Sequence, residues 1–159
     1  MPGSSCAAYL LVKAALRNAV DFFYPRLCVV CDRPSSRESV WLCSSCTANL
    51  HDNHNRRQPC KRCGQNRAVR ACACDHVWDQ PFEQAYSLFD FDDCVQKIAH
   101  AIKYKAARSL AFDMGRIFAP LIPEHYRQQQ SVWVPVPLHY LRRMKRGYNQ
   151  AEILCRGVL

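Results

Sequence analysis

The chain has 159 residues and a formal net charge of +9, from 22 Lys and Arg against 13 Asp and Glu. This length allows one ordinary domain or two small ones and excludes anything larger, and the 49% apolar content permits a packed core. The excess charge lies in residues 95–159, which hold 11 basic and 3 acidic residues, whereas residues 1–94 hold 11 and 10. A basic half indicates a partner that carries phosphate groups, such as nucleic acid or a phosphorylated small molecule. The alternative is a solvated basic surface without a partner.

Residues 6–23 are predicted to form an amphipathic helix, so that residues 1–25 make a separate amino-terminal segment. Lys13, Arg17 and Asp21 recur at steps of four and make one polar stripe on a mostly apolar helix. We expect the apolar face to pack against the protein, with a membrane-surface role as the alternative. The segment is too short and too charged to span a bilayer, and we expect no transmembrane segment.

Eight of the eleven cysteines lie in four close pairs, at Cys28 and Cys31, Cys43 and Cys46, Cys60 and Cys63, and Cys72 and Cys74. A thiolate pair separated by two residues can bend round one tetrahedral metal ion, and two such knuckles complete a four-sulfur site. The spacing therefore predicts a double zinc ribbon over residues 26–78 that binds two Zn²⁺ ions through all eight cysteines. Because this region has few large aliphatic residues, we expect the metal to hold its fold in place of an apolar core.

The main alternative to zinc is a disulfide framework, which needs an oxidising compartment and normally a secretory signal. The amino-terminal segment has an unbroken apolar run only from Ala7 to Val12 and no small-residue cleavage site, so it is a poor signal peptide. The spacing does not decide which knuckles share a metal: nearest neighbours could pair, or the first with the third and the second with the fourth. The last pair has one intervening residue, and His76 could replace a sulfur there.

Residues 82–159 are predicted to form an α/β domain. The pattern favours one strand within residues 84–91 and a second, buried strand at residues 131–137, which is rich in β-branched residues and is ended by its prolines. Between them it predicts a helix that Asp93 caps, with Gln96 completing a capping box, and a second helical run up to Pro120.

The last part of the chain is a basic loop, residues 138–150, followed by a helix. Asn149 and Glu152 form the capping box with which this helix begins. The loop contains Arg142, Arg143, Lys145 and Arg146.

Two motifs in this half resemble the signature of the ComF family, the competence-associated phosphoribosyltransferase-like proteins: Val134-Pro-Val-Pro-Leu-His139 and Arg146-Gly-Tyr-Asn-Gln150. His100-Ala-Ile-Lys-Tyr104 resembles the helix motif that precedes them, and Phe23-Tyr-Pro25 the approach to the first cysteine. The four knuckles match the double zinc ribbon that opens such proteins. The resemblance implies a type I phosphoribosyltransferase fold, a cytoplasmic location, and a role in bringing incoming single-stranded DNA through transformation, with other DNA-uptake proteins as candidate partners.

One motif of the family is missing. Its phosphoribosyl-pyrophosphate motif is an apolar strand, two acidic residues and a Thr- and Gly-rich loop, whereas the adjacent acidic pair of this chain, Asp92 and Asp93, begins a helix. Ala106 and Ala107 also stand where the family commonly has a glycine-containing turn. The expected fold is therefore a small zinc-ribbon domain followed by an incomplete α/β phosphoribosyltransferase-like (type I) domain, truncated before that motif. We expect this chain by itself to turn over no phosphoribosyl pyrophosphate.

The basic loop supplies the candidate ligand contacts. Its cations can contact pyrophosphate or a nucleic-acid backbone, with a solvated basic loop as the alternative. The candidate residues for contact with a phosphorylated ligand or single-stranded DNA are Arg142, Arg143, Lys145, Arg146 and Asn149. Tyr140 and Tyr148 lie among them and suit base stacking.

Three functions fit these patterns. They are a ComF-like protein that serves DNA uptake, a zinc-ribbon nucleic-acid-binding or assembly module without catalytic activity, and a phosphoribosyltransferase fragment. The missing loop disfavours the third, and the sequence names no substrate, acceptor base or oligomeric state.

Overall fold

The structure, a computed structural model, describes residues 25–35, 41–72, 74, 81–105, 107–127 and 131–159, together with the single positions 9, 12, 13, 15, 20 and 23. In this part of the chain five α-helices have defined bounds: α1 Ser44–Asn55, α2 Asp93–Tyr104, α3 Arg108–Phe118, α4 Tyr140–Arg146 and α5 Gln150–Val158. Two 3₁₀ turns follow α3, at Ala119–Leu121 and Glu124–Tyr126. None of the helices formed by the described residues is long and apolar enough to cross a membrane.

The chain divides into two compact units, Met1–Thr47 and Ala48–Leu159. The first unit contains the cysteine pairs that begin at Cys28 and Cys43, and the second contains the other two pairs and helices α2 to α5. The boundaries expected from the sequence, after residue 25 and after residue 78, stay predictions.

The described amino-terminal positions are helical, in agreement with the helix predicted over residues 6–23. Their side chains are exposed: 65% for Tyr9, 59% for Val20 and 73% for Phe23. The Lys13 ammonium lies 5.7 Å from the centre of the Tyr9 ring. The apolar face expected to pack against the protein is therefore open to solvent at Val20 and Phe23.

Helices α3 and α5 make the most extensive helix–helix contact in the second unit. Their backbones meet at two glycines, because a Cβ on Gly115 would overlap the carbonyl oxygen of Leu154, and a Cβ on Gly157 that of Phe112. Buried apolar side chains of α2, α3 and α5 surround this contact: Ile98, Ala101, Ile102, Leu110, Ala111, Met114, Phe118 and Ile153. These three helices thus form an apolar core within the second unit.

The helix ends follow from local hydrogen bonds. Asp92 caps α2, since its Oδ1 accepts from the backbone N–H of Val95 at 2.9 Å, so the cap lies one residue before the predicted Asp93. Asn149 caps α5 as predicted, with Oδ1 accepting from the N–H of Ala151 at 3.1 Å. Helix α4 forms inside the segment predicted to be a basic loop, and it ends at Gly147, whose φ of 76° is left-handed.

The strands predicted at residues 84–91 and 131–137 are wrong for this structure. Both segments are described throughout and neither forms a strand, and the bridges found in the described residues are Leu27–Pro34 and Pro59–Asn66. Val132, for example, is 87% exposed rather than buried. A strand needs a neighbour to accept and donate its ladder hydrogen bonds, and the described part of the chain provides none beside these two segments.

We predict that Gly115→Ala lowers the free energy of unfolding of the second unit by about 2 kcal/mol, because α3 and α5 must move apart to accept the methyl group. Denaturant unfolding followed by circular dichroism measures the change. The control is Gly147→Ala, where nothing lies within 4 Å of the added Cβ and only the left-handed backbone opposes the change, at about 1 kcal/mol. A Gly115→Ala protein as stable as the control would contradict the close helix contact.

Candidate metal centres and a basic cleft

The eight paired cysteines form two groups in the structure. Site 1 consists of Cys28, Cys31, Cys43 and Cys46, and site 2 of Cys60, Cys63, Cys72 and Cys74. Within each site the four sulfur atoms lie within 4.8 Å of one another, and all eight cysteines are free thiols. The nearest-neighbour pairing is therefore the one that the chain adopts. Site 2 has four sulfurs without His76, which lies outside the described residues.

Both sites fit Zn²⁺. Four thiolates are a ligand set of structural zinc sites, and a Zn–S length of about 2.3 Å in a tetrahedron places the sulfurs ~3.8 Å apart. The Sγ atoms of Cys31 and Cys43 are 3.6 Å apart, close to that separation. Two of the site 1 sulfurs are deeply buried, since Cys28 is 0% exposed and Cys46 3%. Bound zinc supplies the cross-link that joins the two knuckles of each site.

The first knuckle of each site is the same turn, repeated after 32 residues. The N–H of Cys28 donates to the carbonyl of Arg33, and the N–H of Cys60 to that of Gln65, both at 2.8 Å. The residue after the second cysteine is left-handed in each turn: Asp32 has φ of 57° and Gly64 has φ of 70°. At Gly64 the turn uses the backbone freedom of glycine, which takes this conformation without steric cost.

The sulfurs within a site differ in acidity. Arg33 hydrogen-bonds Cys31 and lowers the pKa of that thiol to about 6. The backbone N–H of Cys63 does the same for Cys60, whose pKa also falls to about 6. The thiol of Cys74 hydrogen-bonds Cys63, and this bond with burial raises the pKa of Cys74 to about 12. One thiolate forms easily at each site, and the compensating charge of a cation is needed for the full set.

Arg57, which follows α1, joins site 2 to the segment that leads into α2. Its side chain is only 4% exposed, and Nε donates to Oδ1 of Asp90 at 2.9 Å. Nη2 donates to the carbonyl of Gly64 at 2.8 Å, and Nη1 to the carbonyl of Ser87. Because Gly64 belongs to the first knuckle of site 2, one guanidinium holds both that knuckle and the segment leading into α2.

Two buried asparagines complete the surroundings of Asp90. Asn53 Oδ1 accepts from the N–H of Asp90 at 2.8 Å, and Asn66 Nδ2 donates to its Oδ2 at 2.5 Å. Asn53 Nδ2 also donates to Oδ2 of Asp92 at 2.7 Å, and Asp92 caps α2. Hydrogen bonds therefore run without a break from site 2 to the first turn of α2.

This network could not be foreseen from the sequence. Asn53 lies near the end of α1, which runs through Asn55, and Asp90 follows it by 37 residues. Arg57 lies two residues beyond the end of this helix, and its N–H donates to the carbonyl of His54 at 3.2 Å. His54 also lies on α1, its Nδ1 is 2.8 Å from the carbonyl oxygen of Leu88, and it belongs to neither cysteine group.

A basic cleft lies between the end of α2 and α4. Its volume is about 370 Å³, and it is lined by Lys103, Tyr104, Arg142, Lys145 and Arg146. Within the described residues none of its four cations forms a salt bridge with a carboxylate. The structure thus brings together three of the predicted basic residues and adds two residues of α2.

The other two candidate residues lie elsewhere. Arg143 is exposed on α4 but does not line the cleft. Asn149 is 6% exposed, and besides capping α5 it donates from Nδ2 to the carbonyl of Val136 at 3.0 Å. The amide oxygen and the amide nitrogen of Asn149 therefore both have hydrogen-bond partners within the chain. We do not include this side chain among the groups available to a ligand.

The side chain of Arg146 is fixed in position. Its guanidinium lies 5.3 Å from the centre of the Tyr104 ring, and Nη1 donates to Oε1 of Gln150 at 3.1 Å. The hydroxyl of Tyr148 donates to the carbonyl of Ile102, which holds the chain after α4 against α2. Tyr148 is therefore a structural contact and not a stacking surface.

We predict two zinc ions per chain, since two complete four-thiol sites are present. Metal analysis of protein purified under reducing conditions measures the content. Cys31→Ser should lower it to one, because site 2 keeps its four sulfurs, whereas Cys155→Ser should leave it at two because Cys155 belongs to neither site. Metal-free protein with intramolecular disulfides would contradict the assignment.

We predict that Asp90→Ala destabilises the second unit by about 3 kcal/mol, because it leaves the buried Arg57 charge without a partner. The figure is at the low end for such pairs, since Asp90 is 33% exposed. Denaturant unfolding and the rate of zinc loss to a chelator give the two readouts. The matched control is Glu152→Ala, which breaks the exposed pair with Arg156 and should cost no more than ~0.5 kcal/mol. Equal effects of the two substitutions would remove Arg57 and Asp90 from this role.

Comparison with known proteins gives one family match and several relatives. Residues 19–78 match the family of the double zinc ribbon domain. The chain is 24% identical to Competence protein ComFC of Bacillus subtilis, over 80% of the chain and 60% of the relative. It is also 24% identical to DNA utilization protein YhgH of Salmonella typhi, over 83% of the chain and 60% of the relative. Escherichia coli YhgH is 25% identical, over 82% and 52%.

No solved structure shows a significant match. The chain spans between about half and three fifths of the length of these curated relatives. The zinc sites lie within the matched segment, and the similarity to the relatives extends well beyond its 60 residues. The chain therefore carries a double zinc ribbon domain and is a homologue of the ComFC and YhgH proteins.

Proposed function

We propose that this protein has a ComF-like role in DNA uptake during natural transformation. The observation that carries the proposal is the similarity to a competence protein and to DNA utilization proteins over about four fifths of the chain. The double zinc ribbon matched over residues 19–78 supports it, since the family that the motifs of the second half resemble opens with such a domain. As parts of this proposal, the protein works in the cytoplasm with other DNA-uptake proteins, and residues 82–159 belong to a phosphoribosyltransferase-like fold.

The basic cleft and the exposed face of α4 are the proposed DNA contact. Single-stranded DNA is bound by cations that follow the phosphates and by aromatic rings on which bases stack. Three cleft cations lie on α4 with Arg143 beside them, and none of the four is neutralised by a carboxylate among the described residues. Tyr140 is 69% exposed at the start of the same helix and offers a ring for stacking.

The zinc ribbon has a structural role in this proposal. Site 2 is connected through Arg57 and Asp90 to the start of α2, and the cleft lies at the other end of α2. Zinc at site 2 thereby stabilises the helix that carries Lys103 and Tyr104. The expected lack of phosphoribosyl pyrophosphate turnover stays a prediction, which a pyrophosphate-release assay on this chain checks.

We predict that the protein binds single-stranded DNA with an affinity that falls steeply as salt rises, because binding to phosphates releases counterions. Replacing Arg142, Arg143, Lys145 and Arg146 together by alanine should reduce the slope of log K against log salt by ~0.7 for each phosphate that the variant no longer neutralises. Fluorescence anisotropy with a labelled oligonucleotide over a salt series measures the slope.

The matched control removes four other exposed charges of the second unit: Arg70, Lys97, Arg108 and Arg116. It changes the net charge by the same amount, so it should lower affinity modestly and leave most of the slope. Absence of binding at low salt, or equal slopes for the two variants, would refute the DNA contact.

A further inference from the structure

We propose that the basic cleft is a pocket for a phosphomonoester, the terminal phosphate of a nucleotide or of a DNA strand, and not a segment of a track for internal phosphodiesters. The inference rests on the proposed function only for the source of the phosphate, since the pocket can bind a phosphomonoester whether or not the protein binds a DNA chain.

The first observation is that the cations converge. Lys103 comes from the last turn of α2, and Arg142, Lys145 and Arg146 come from α4, yet they line one concavity of about 370 Å³. This volume is at the lower end of the range for ligand pockets, ~300–1,000 Å³. Arg143 belongs to the same helix and does not line it. Basic residues that followed an extended strand would be spread along a surface and not collected round one space.

The second observation is the charge that this space favours. Four cations line the cleft, and no carboxylate of the described residues does. A phosphomonoester carries about −1.5 to −2 charges at neutral pH and has three strong acceptor oxygens. An internal phosphodiester carries one charge and has two unesterified oxygens. Because each charge-assisted hydrogen bond adds to binding, a converging set of cations favours the dianion.

The third observation is that one cation is held in place before any ligand binds. Arg146 rests over the Tyr104 ring and donates to Gln150, so little side-chain freedom is lost when it binds an oxyanion. Since the cleft lies at the carboxyl end of α2, where the helix dipole disfavours an anion, binding depends on the side-chain cations. Single substitutions should therefore have measurable effects.

The aromatic residues beside the cations suit the base next to the phosphate. Tyr104 is 63% exposed, and the centre of its ring is 4.7 Å from that of His100, an exposed residue one helical turn earlier. Arg146 already occupies one side of the Tyr104 ring. The exposed Tyr104 and His100 therefore offer aromatic rings on which the base of a terminal nucleotide can stack.

The test compares two oligonucleotides of twelve thymidines that carry a fluorophore at the 3′ end and differ only at the 5′ end, hydroxyl or phosphate. We expect the 5′-phosphorylated strand to bind the full chain about tenfold more tightly at low salt, because its terminal phosphate offers the cleft up to one more charge and one more unesterified oxygen than the internal phosphodiester that the 5′-hydroxyl strand must place there. Equal affinities would overturn the pocket. They would leave the proposed DNA contact intact, because that contact is measured with the 5′-hydroxyl strand.

Three single variants distinguish binding in a pocket from attraction by the overall positive charge of the surface. Arg142→Gln and Arg146→Gln should abolish the preference for the phosphorylated strand, whereas Arg143→Gln, which removes the same charge from the same helix, should weaken both strands and keep the preference. The proposal requires that the Arg142 and Arg146 variants lose the preference for the phosphorylated strand and that the Arg143 variant keeps it. An equal loss in all three variants would show a diffuse field and would overturn the proposal.

Thymidine 5′-monophosphate and inorganic phosphate, used as competitors, distinguish the sources of the phosphate. Competition by the mononucleotide, together with binding of the phosphorylated strand, supports a pocket that accepts a strand end. If neither strand binds, direct titration calorimetry with the mononucleotide replaces competition: binding of the mononucleotide then supports the pocket with a free nucleotide as its ligand and refutes the proposed DNA contact, and no binding overturns both. Failure of both competitors to displace the phosphorylated strand overturns the pocket.

Discussion

The ion pair between Arg57 and Asp90 is the contact on which the arrangement of the second unit depends. The guanidinium is almost fully buried and bonds a carboxylate, the carbonyl of Gly64 and the carbonyl of Ser87. A buried charge is costly unless its hydrogen bonds are satisfied, and here Arg57 and the asparagines beside Asp90 satisfy one another. Such a network favours one relative placement of the site 2 knuckle and α2.

The two zinc sites therefore differ in kind, although their first knuckles repeat the same turn. At site 1 the left-handed position is Asp32, and the described hydrogen bonds of the knuckle stay within the first unit. At site 2 it is Gly64, where a Cβ would lie 3.0 Å from the carbonyl oxygen of Ala85, and the N–H of Ala85 donates to the carbonyl of Arg62 at 2.6 Å. Glycine allows the chain to pack against the site 2 knuckle, so metal at this site stabilises more than its own loop.

Regular patterns made part of this molecule predictable. The cysteine pairs and the apolar spacing of α2 and α3 depend on residues close in sequence, and both are confirmed. The prediction of a strand at residues 131–137 is wrong, because a β-branched run forms a strand only when another segment pairs with it. Asp90 and Asn53 meet across 37 residues, and Lys103 joins Arg142 only after α2 and α4 fold together. Contacts of this kind have no local signal, which is why the sequence identified basic residues but not a cleft.

In the motif from Arg146 to Gln150 the residues have different structural roles. Gly147 takes the left-handed turn that ends α4, Tyr148 holds this turn to α2, and Asn149 starts α5 while bonding the carbonyl of Val136. Gln150 then orients the guanidinium of Arg146. Four of the five residues thus serve to place the fifth, the one cation of the motif that faces the cleft. A sequence pattern can therefore be specific to a site even when most of its members never touch the ligand, since the position of a single charge depends on all of them.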